Sequence, residues 1–328
     1  MNKHKRRAAI GALAATAALA SAMAAAQQGY PSKPIRIITS TAGGPYDIAM
    51  RGLSGPLGQA LGQSIVIDNR TGGSFIPLAE ACAHATPDGH TLCTSDSFAQ
   101  SLNPLLFSKL PYETKEFAPI IFLGTLNSAI LVNAALPVRN LQELFDMAKA
   151  KPNSLSFATA GPGSGANIYV EYLRKEKGIA FLNVPYKSFP QGLAAAMTGE
   201  VNVATFAVGG GLAQAKSGKV RALATTGAQR SIFAPDLPSL SEAGVDIATN
   251  TWIGMMGPSG LPREIVMRLN AEYKKLLADK PLVEKFVMGP GFEPVPPSGG
   301  SPEEFAKFIR ADQEAYARAI KIVGIKPE

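Results

Sequence analysis

Two stretches of the sequence repeat one order of elements: an apolar strand, a glycine-rich turn and the start of a helix. The first is IRIITSTAGGPYDIAMR (residues 35–51) and the second is LSFATAGPGSGANIYVEYL (residues 155–173). The first amides of a helix have no partner within it and carry a partial positive charge. Glycines that let a ligand approach them therefore make an anion-binding turn. Two such turns in one chain predict one anion held from two sides.

Short β-branched runs alternate with helical patterns through most of the chain, as in IRIITS, SIVIDN, TLCTS, LSFATA and NVATFAV. This alternation predicts an α/β fold in which crossover helices join parallel strands and ligands bind beyond the carboxyl ends of the strands. Both glycine turns fall where a strand ends and a helix begins. We therefore expect two lobes, each with its own sheet, and a cleft between them.

The last third of the chain is typical of amphipathic helices, over residues 262–279 and 302–323. Apolar side chains recur there at helical spacing, which predicts a buried face. The residues predicted to lie in the core are Ile265, Leu269, Tyr273 and Leu276.

The N-terminal segment has the pattern of an export signal. MNKHKRR is followed by an almost wholly apolar run over residues 8–26 that ends in small residues, Ala24 to Ala26. A basic region, an apolar stretch and an A-x-A site predict cleavage after Ala26 and a mature protein in the periplasm. A first transmembrane helix is the alternative, although the alanine-rich run is weakly hydrophobic. The Arg6-Arg7 pair leaves the Sec and twin-arginine routes both open.

The formal charge of +7 belongs largely to that segment. Loss of Lys3, Lys5, Arg6 and Arg7 lowers it to +3. The remainder has no lysine and arginine run with interleaved aromatics, so we expect no nucleic-acid partner. No other stretch is long and apolar enough to span a bilayer. A monomer is the default expectation.

The two cysteines, Cys82 and Cys93, are the whole cysteine complement. They fall on a predicted helix, residues 76–85, and on the following predicted strand, residues 91–94. An oxidising compartment favours a disulfide between them. The alternative is two small buried side chains without a bond.

Signals for catalysis are absent from the sequence. Beyond the leader the only histidines are His84 and His90, for which structural roles at a helix end and a turn are favoured. There is no H-E-x-x-H, G-x-S-x-G, P-loop lysine or zinc-spaced cluster. Residues 161–166 satisfy G-x-G-x-x-A, but a mid-chain match in an exported protein is a weak dinucleotide signal. We expect no enzyme, no metal and no cofactor.

An ordered set of segments resembles the Bug (TctC-like) family of periplasmic solute-binding proteins, the receptors of tripartite tricarboxylate transporters. The segments include PIRIITSTAGGPYDIAMR, PDGHTLCTS, FAPIIFLGT, LNVPYKS, VRALATTGAQRSIFAPDLPSLSEAG and PEEFAKFIRA. The resemblance implies a Venus-flytrap fold, type II-like, with the ligand cleft between two α/β domains. Domain 1 would comprise residues 27–130 and 251–328, and domain 2 residues 131–250.

The resemblance also implies a carboxylated ligand, held by backbone amides of the two glycine turns and by ordered waters while the lobes close. Delivery to the membrane components of a tripartite transporter is implied in the same way. A sensor that touches a membrane kinase remains an alternative, because it would share the fold and the ligand.

The candidate ligand-binding residues cluster in three turns and at two strand ends. They are Thr41, Ala42, Gly43, Gly44, Tyr46, Ser95, Phe98, Ala160, Gly161, Gly163, Ser164, Gly165, Asn167, Tyr186, Phe206 and Ala207. Asp47 is expected to be a helix N-cap rather than a ligand contact, since a carboxylate repels an anion. The segment TSDSFAQSLN, residues 94–103, is either a cleft wall or a polar surface loop.

Thr205-Phe206-Ala207 departs from the resembled family, which usually carries Phe-Asp-Asn there. An apolar Phe206 facing the cleft, with glycines after it, favours a flat or alkyl ligand body over an amino acid. The hypothesis is an aromatic carboxylate such as terephthalate or phthalate, with Tyr186 and Phe189 as further walls. An aliphatic di- or tricarboxylate is the alternative, and so is a Phe206 that turns into the core.

Overall fold

The computed structural model describes residues 29–161, 163–245, 247 and 251–327, so the predicted leader, residues 1–26, lies outside the described residues. The strands are β1 (Ile35–Thr39), β2 (Ile65–Asn69), β3 (Thr91–Asp96), β4 (Phe117–Leu126), β5 (Ser128–Asn133), β6 (Ser156–Thr159), β7 (Leu182–Pro185), β8 (Val203–Ala207), β9 (Val220–Thr225) and β10 (Thr251–Pro258). The α-helices are α1 (Pro45–Leu61), α2 (Ile76–Ala83), α3 (Asn103–Leu106), α4 (Leu141–Ala150), α5 (Gly165–Glu176), α6 (Phe189–Thr198), α7 (Val208–Ala215), α8 (Arg263–Ala278), α9 (Lys280–Val283) and α10 (Pro302–Val323).

The first sheet, which defines lobe 1, has the strand order β2-β1-β3-β10-β4. Within it β1 is parallel to β2 and to β3, and Ile37 lies between Ile67 and Leu92. Strand β10 runs antiparallel to β3 and β4. The parallel strands β1, β2 and β3 end at one edge of this sheet, and a turn follows each of them there.

The second sheet, which defines lobe 2, has the order β7-β6-β8-β5-β9. Strand β6 is parallel to β7 and β8, whereas β5 is antiparallel to β8 and β9. The predicted two-lobed α/β fold is confirmed, but both sheets are mixed rather than wholly parallel. One residue, Asn127, separates β4 from β5, so the chain enters lobe 2 without a crossover helix.

The predicted amphipathic helices near the end of the chain are confirmed. Leu269 and Tyr273 of α8 are fully buried, Ile265 is nearly so, and Leu276 is only partly buried against the same cluster. These side chains join the strand residues of lobe 1, such as Ile37, in one apolar cluster. Each buried side chain of this size stabilises the fold by about 1.5–3 kcal/mol.

Helix α10 packs against both lobes. Phe305 and Ile309 in its first half belong to an apolar cluster of lobe 1, whereas Tyr316, Ile320 and Val323 in its second half belong to the main cluster of lobe 2. Its 22 residues extend over about 33 Å. The residues after α10 are therefore held on lobe 2.

A disulfide joins α2 to β3 in lobe 1. Cys82 and Cys93 are bonded at an S–S distance of 2.03 Å, and both side chains are fully buried. The helix that carries Cys82 ends at Ala83, two residues before the predicted end. Among the helices that the structure describes, none is long and apolar enough to cross a membrane.

Candidate ligand-binding site

A cavity of about 280 Å³ lies between the two lobes. Lobe 1 contributes the turn after β2 and the segment after β3. Lobe 2 contributes the turn after β6, the start of α6 and the residues that follow α10. The described lining residues are Ser74, Phe98, Leu106, Phe107, Ala160, Gly161, Gly163, Ser164, Phe189, Ile325 and Lys326.

The second glycine turn forms one wall of this cavity, and its geometry follows from its sequence. Gly161 has a φ of +94°, a conformation that glycine adopts without steric cost. Ser164 is the N-cap of α5: its hydroxyl accepts a hydrogen bond from the Asn167 amide at 3.3 Å and donates one to the Gly161 carbonyl at 2.8 Å. The helix begins at Gly165. Its first amides thus lie in the turn, without an acceptor inside the helix.

Asn167 braces the turn from behind. Its side-chain oxygen accepts a hydrogen bond from Asn183 Nδ2 at 2.6 Å, and Thr159 Oγ1 donates to Asn183 Oδ1 at 2.7 Å. Asn167 is buried and is not among the described residues that line the cavity. It connects the start of α5 to β6 and β7. The side chain expected to contact the ligand thus supports the turn in this structure.

Three phenylalanines, together with Leu106 and Ile325, supply the apolar part of the cavity. Phe98 comes from lobe 1, directly after β3, and its ring centroid lies 5.7 Å from that of Phe75. Phe107 follows α3, and Phe189 opens α6 with 39% of its surface exposed. An aromatic or alkyl ligand body would find apolar walls here, while the turn supplies polar amides.

Phe206 lies elsewhere. It pairs with Ala129 across β8 and β5 and packs against the apolar cluster of lobe 2 that contains Ala129. A Cβ built on Gly210 would lie 2.6 Å from the Phe206 ring, so that ring fills the space above the glycine. Tyr186 packs on the same cluster, and its hydroxyl donates to Glu200 at 2.8 Å. Neither ring is among the described cavity-lining residues; Ala207, at the start of α7, is absent from them too.

The first glycine turn is exposed, from Thr41 to Gly43, and is likewise absent from the described lining. Gly44 is the N-cap of α1, and its amide donates to the Thr41 carbonyl at 3.1 Å. The expectation that Asp47 is the N-cap is therefore wrong. Asp47 is the third residue of α1, and its carboxylate reaches back to accept a hydrogen bond from the Gly43 amide at 2.9 Å.

The carboxylate of Asp47 is held by donors from three directions. Besides the Gly43 amide it accepts hydrogen bonds from Arg51 Nε at 2.9 Å and from Asn69 Nδ2 at 2.8 Å. Burial alone would raise the pKa of this carboxyl, but these hydrogen bonds outweigh it and the pKa is lowered. Asp47 thus engages one amide of the turn and, through its hydrogen bond with Asn69, connects α1 to β2.

Tyr46 is a core residue of lobe 1. Its ring packs on Phe75 and Phe292, with centroids 5.4 Å away in each case. Its hydroxyl donates to Asp96 Oδ2 at 3.2 Å. Burial raises the pKa of Asp96 to about 7, although the hydrogen bonds from Ala99 and Tyr46 act to lower it. The hydroxyl expected at the ligand is engaged inside lobe 1.

Residues 94–103 are not a polar surface loop. Ser95, Gln100 and Ser101 are buried, and Gln100 Nε2 donates to Ser95 Oγ at 3.1 Å. Ser101 donates to Asp312 of α10, which also accepts a hydrogen bond from Trp252 Nε1. These three polar side chains can be buried because they hydrogen-bond to each other or to Asp312. Within this segment Phe98 alone is among the described lining residues.

Sequence reasoning missed five lining residues: Ser74, Leu106, Phe107, Ile325 and Lys326. A signal existed for the first, because Gly72-Gly73 follows β2 just as glycines follow β1 and β6. Nothing near Lys326 in the chain marks it, since its position depends on α10. Among the residues that the structure describes, no cluster of three histidine, cysteine or acidic side chains could hold a metal ion.

A family model for the tripartite tricarboxylate transporter family receptor, TctC, matches residues 49–325. The chain belongs to this family. Its members are solute-binding receptors, which agrees with a cavity between two lobes. The chain is similar to a UPF0065 protein of Bordetella bronchiseptica, with 33% identity over 96% of this chain and 93% of that protein. It is also similar to protein BugT of Bordetella pertussis, with 29% identity over 99% of each chain.

Solved structures of similar receptors share the fold. Rpa4515 of R. palustris, solved with adipate, has a TM-score of 0.76 and 28% identity and covers 91% of this chain and 100% of its own. MatC of Rhodopseudomonas palustris, with bound malate, has a TM-score of 0.69 and 26% identity over 90% and 100%. The periplasmic binding protein BugD has a TM-score of 0.72 and 26% identity over 91% and 100%. This TctC-family receptor thus has carboxylate-binding neighbours.

Proposed function

We propose that this receptor is exported to the periplasm, captures a small carboxylate with an apolar body, and passes it to the membrane components of a tripartite tricarboxylate transporter. The observation that carries the proposal is the cavity between the lobes, which combines the glycine turn that leads into α5 with three phenylalanine rings. Unpaired helix amides favour an anion, and the rings favour an aromatic or alkyl group. An aromatic acid such as terephthalate or phthalate has both parts.

In the proposed complex one carboxylate of the ligand contacts Gly163 and Ser164, which line the cavity. It is directed at the amides of Gly165 and Ala166, which are not themselves among the described lining residues. Both belong to the first turn of α5, where an amide has no acceptor within the helix. The ligand ring then extends towards Phe98 and Phe189, which enter from opposite lobes. In this proposal Phe98, Phe107 and Phe189 supply the aromatic wall that was expected from Phe206. The Phe206 ring instead packs on an apolar cluster of lobe 2.

The first glycine turn completes the site in our proposal when the lobes close. Thr41, Ala42 and Gly43 are exposed and remain available to a ligand, whereas the Gly43 amide itself is engaged by Asp47. Contacts that form only in the closed state shift the population towards it, by as much as the ligand's affinities for the two states differ. Closure would therefore report capture to the membrane components.

Isothermal titration calorimetry of the purified receptor tests the ligand class. We expect binding of terephthalate, phthalate or benzoate, and a variant with the anion-binding turn blocked, Gly165→Pro, should lose it. The matched control is Gly209→Ala, whose added Cβ would meet nothing within 4 Å. Tight binding of citrate or glutamate with no binding of any aromatic acid would overturn the aromatic proposal.

An aliphatic dicarboxylate is the second candidate, favoured by the adipate and malate in two similar structures. An alkyl chain can also pack on phenylalanine rings. Direct competition between adipate and terephthalate decides between them. Displacement of terephthalate by adipate at lower concentration would favour the aliphatic ligand.

Export is tested on the cells that produce the protein. We expect the mature protein in the periplasmic fraction, with an N-terminus at Gln27 after cleavage behind Ala26. N-terminal sequencing or intact mass measures this directly. Full-length protein retained in the membrane fraction would contradict the proposal.

A further inference from the structure

Lys326 carries the only charged side chain among the described residues that line the cavity. The side chain is exposed, and no hydrogen bond or ion pair with another described residue holds its ammonium group. The remaining lining is apolar or consists of small polar residues and backbone. A ligand that fills the cavity would displace water from this ammonium group, and an anionic group of the ligand would then interact with it more strongly than in bulk water.

The position of Lys326 is built by several contacts after the end of α10. Gly324 adopts a φ of +70°, and its amide donates to the Ile320 carbonyl at 2.8 Å. Lys175 Nζ donates to the Val323 carbonyl at 2.6 Å, so a cation caps the last turn of α10. Ile325 then packs against the main apolar cluster of lobe 2. The chain is thereby turned back towards the cavity.

Helix α5 contributes to both ends of this arrangement. Its N-cap residue, Ser164, lines the cavity, and its last turn carries Lys175, which donates a hydrogen bond to the end of α10. The amides and Lys326 thus belong to one lobe and are connected through one helix. The spacing between the two positive groups is set within lobe 2, before any closure of the lobes.

We infer that Lys326 determines the charge of the ligand: it pairs with a second acidic group while the first occupies the turn of α5. The inference rests on the proposed function and narrows the ligand to a dicarboxylate or a similar dianion. The apolar rings, Phe98 and Phe189, contact the body that separates the two acidic groups.

The test compares matched diacids and monoacids, terephthalate with benzoate and adipate with hexanoate, by titration calorimetry. We expect Lys326→Met to weaken diacid binding by about tenfold or more, the size of a lost charge-assisted contact, and monoacid binding by less than about threefold. Lys326→Arg should restore the preference. Lys321→Met is the control, because Lys321 is an exposed lysine of the last turn of α10 and is not among the described lining residues.

The outcomes distinguish a failure of the proposed function from a failure of the inference about Lys326. If the unmodified receptor binds none of the four acids, the proposed function fails and the inference with it. If the receptor binds diacids but Lys326→Met leaves their affinity unchanged, or weakens diacid and monoacid equally, the inference alone is overturned. Because Lys326 is exposed, we expect unchanged thermal melting of the unliganded variant, which separates a binding effect from a folding effect.

Discussion

Leu106 of lobe 1 lies directly against Gly163 of lobe 2. A Cβ built on Gly163 would lie 2.5 Å from Leu106 Cδ1, closer than real Cβ contacts allow. The absence of a side chain at this glycine lets the two lobes meet at the rim of the cavity. The same glycine belongs to the turn that we propose as the anion site, so packing of the lobes and ligand binding share one residue.

Gly163→Ala should therefore weaken ligand binding. The new methyl group pushes against Leu106, and we expect the affinity for terephthalate or adipate to fall by about tenfold, which is about 1.4 kcal/mol. Titration calorimetry measures the affinity. The double variant Gly163→Ala/Leu106→Ala should recover most of it, since the obstructing side chain is then shortened.

Gly209→Ala is the matched control for that substitution. Gly209 lies in α7, and an added Cβ there would meet nothing within 4 Å. We expect unchanged affinity and a stability gain of about 0.5–1 kcal/mol from the lost glycine entropy. Equal loss of affinity in both variants would show that lobe contact at Gly163 is not the cause.

Asp47→Asn should destabilise lobe 1. The carboxylate accepts hydrogen bonds from Arg51, Asn69 and the Gly43 amide, and hydrogen bonds to a charged group contribute about 1.5–3 kcal/mol each. We expect a loss of about 1–3 kcal/mol in the free energy of unfolding at pH 7, measured by urea denaturation.

The pH dependence of the Asp47→Asn effect follows from its pKa. The folded state lowers the pKa of Asp47 below its ordinary value of 3.8. Its contribution is therefore fully present above pH 3.8 and is lost as the pH falls through the lower pKa of the folded state. The difference between the two proteins should shrink in acid. A difference that stays constant down to about pH 2 would contradict the assignment.

The contribution of Asp96 to stability should change with pH in the opposite direction to that of Asp47. Its pKa is raised from 3.8 to about 7, first by burial. Between these values the unfolded chain has lost the proton that the folded protein retains, so the contribution of Asp96 to stability decreases as the pH rises from about 4 to about 7. Asp96→Asn should make the unfolding free energy less dependent on pH in this range.

Thermal melting or urea denaturation at several pH values measures this effect. Asp146→Asn is a suitable control, because Asp146 is an exposed residue of α4. A change of the pH profile that Asp96→Asn shows and Asp146→Asn does not is then specific to the buried position. If Asp96→Asn and Asp146→Asn have the same profile as the unmodified protein, Asp96 does not retain its proton to neutral pH in the folded state.

Reduction of the Cys82–Cys93 disulfide should lower stability. The two residues are 11 positions apart, and a loop of this size is worth about 2–3 kcal/mol through the entropy of the unfolded chain. We expect a lower melting temperature in dithiothreitol. Cys82→Ala/Cys93→Ala should melt at a temperature that dithiothreitol does not change. An unmodified protein that is equally insensitive would indicate that the bond is absent in solution.

Local features of the sequence were sufficient for much of the fold. The alternation of strands and helices predicts the two-lobed α/β architecture, and the apolar spacing over residues 302–323 matches α10 residue for residue. Ile265, Leu269 and Tyr273 are core residues, as predicted. These inferences succeed because periodicity reports directly which face of an element is buried.

Sequence patterns predicted the candidate ligand-binding site less completely than the fold. Ala160, Gly161, Gly163 and Ser164 do line the cavity, since a strand-turn-helix order places a turn at the carboxyl end of a strand wherever it occurs. The local order of strand, turn and helix does not predict the orientation of the Phe206 side chain. Its ring lies over Gly210 and packs on the apolar cluster of lobe 2, and this orientation depends on neighbouring residues of β5.

The amino-acid sequence alone specified the family, the two-lobed fold and the two glycine turns, because each rests on residues that are close together along the chain or on their order. The three-dimensional fold settled which turn faces the cavity, that Tyr46 is engaged by Asp96, and that Lys326 returns to the cavity beyond α10. Those outcomes depend on contacts between residues far apart in the chain. Local spacing carries no information about such contacts.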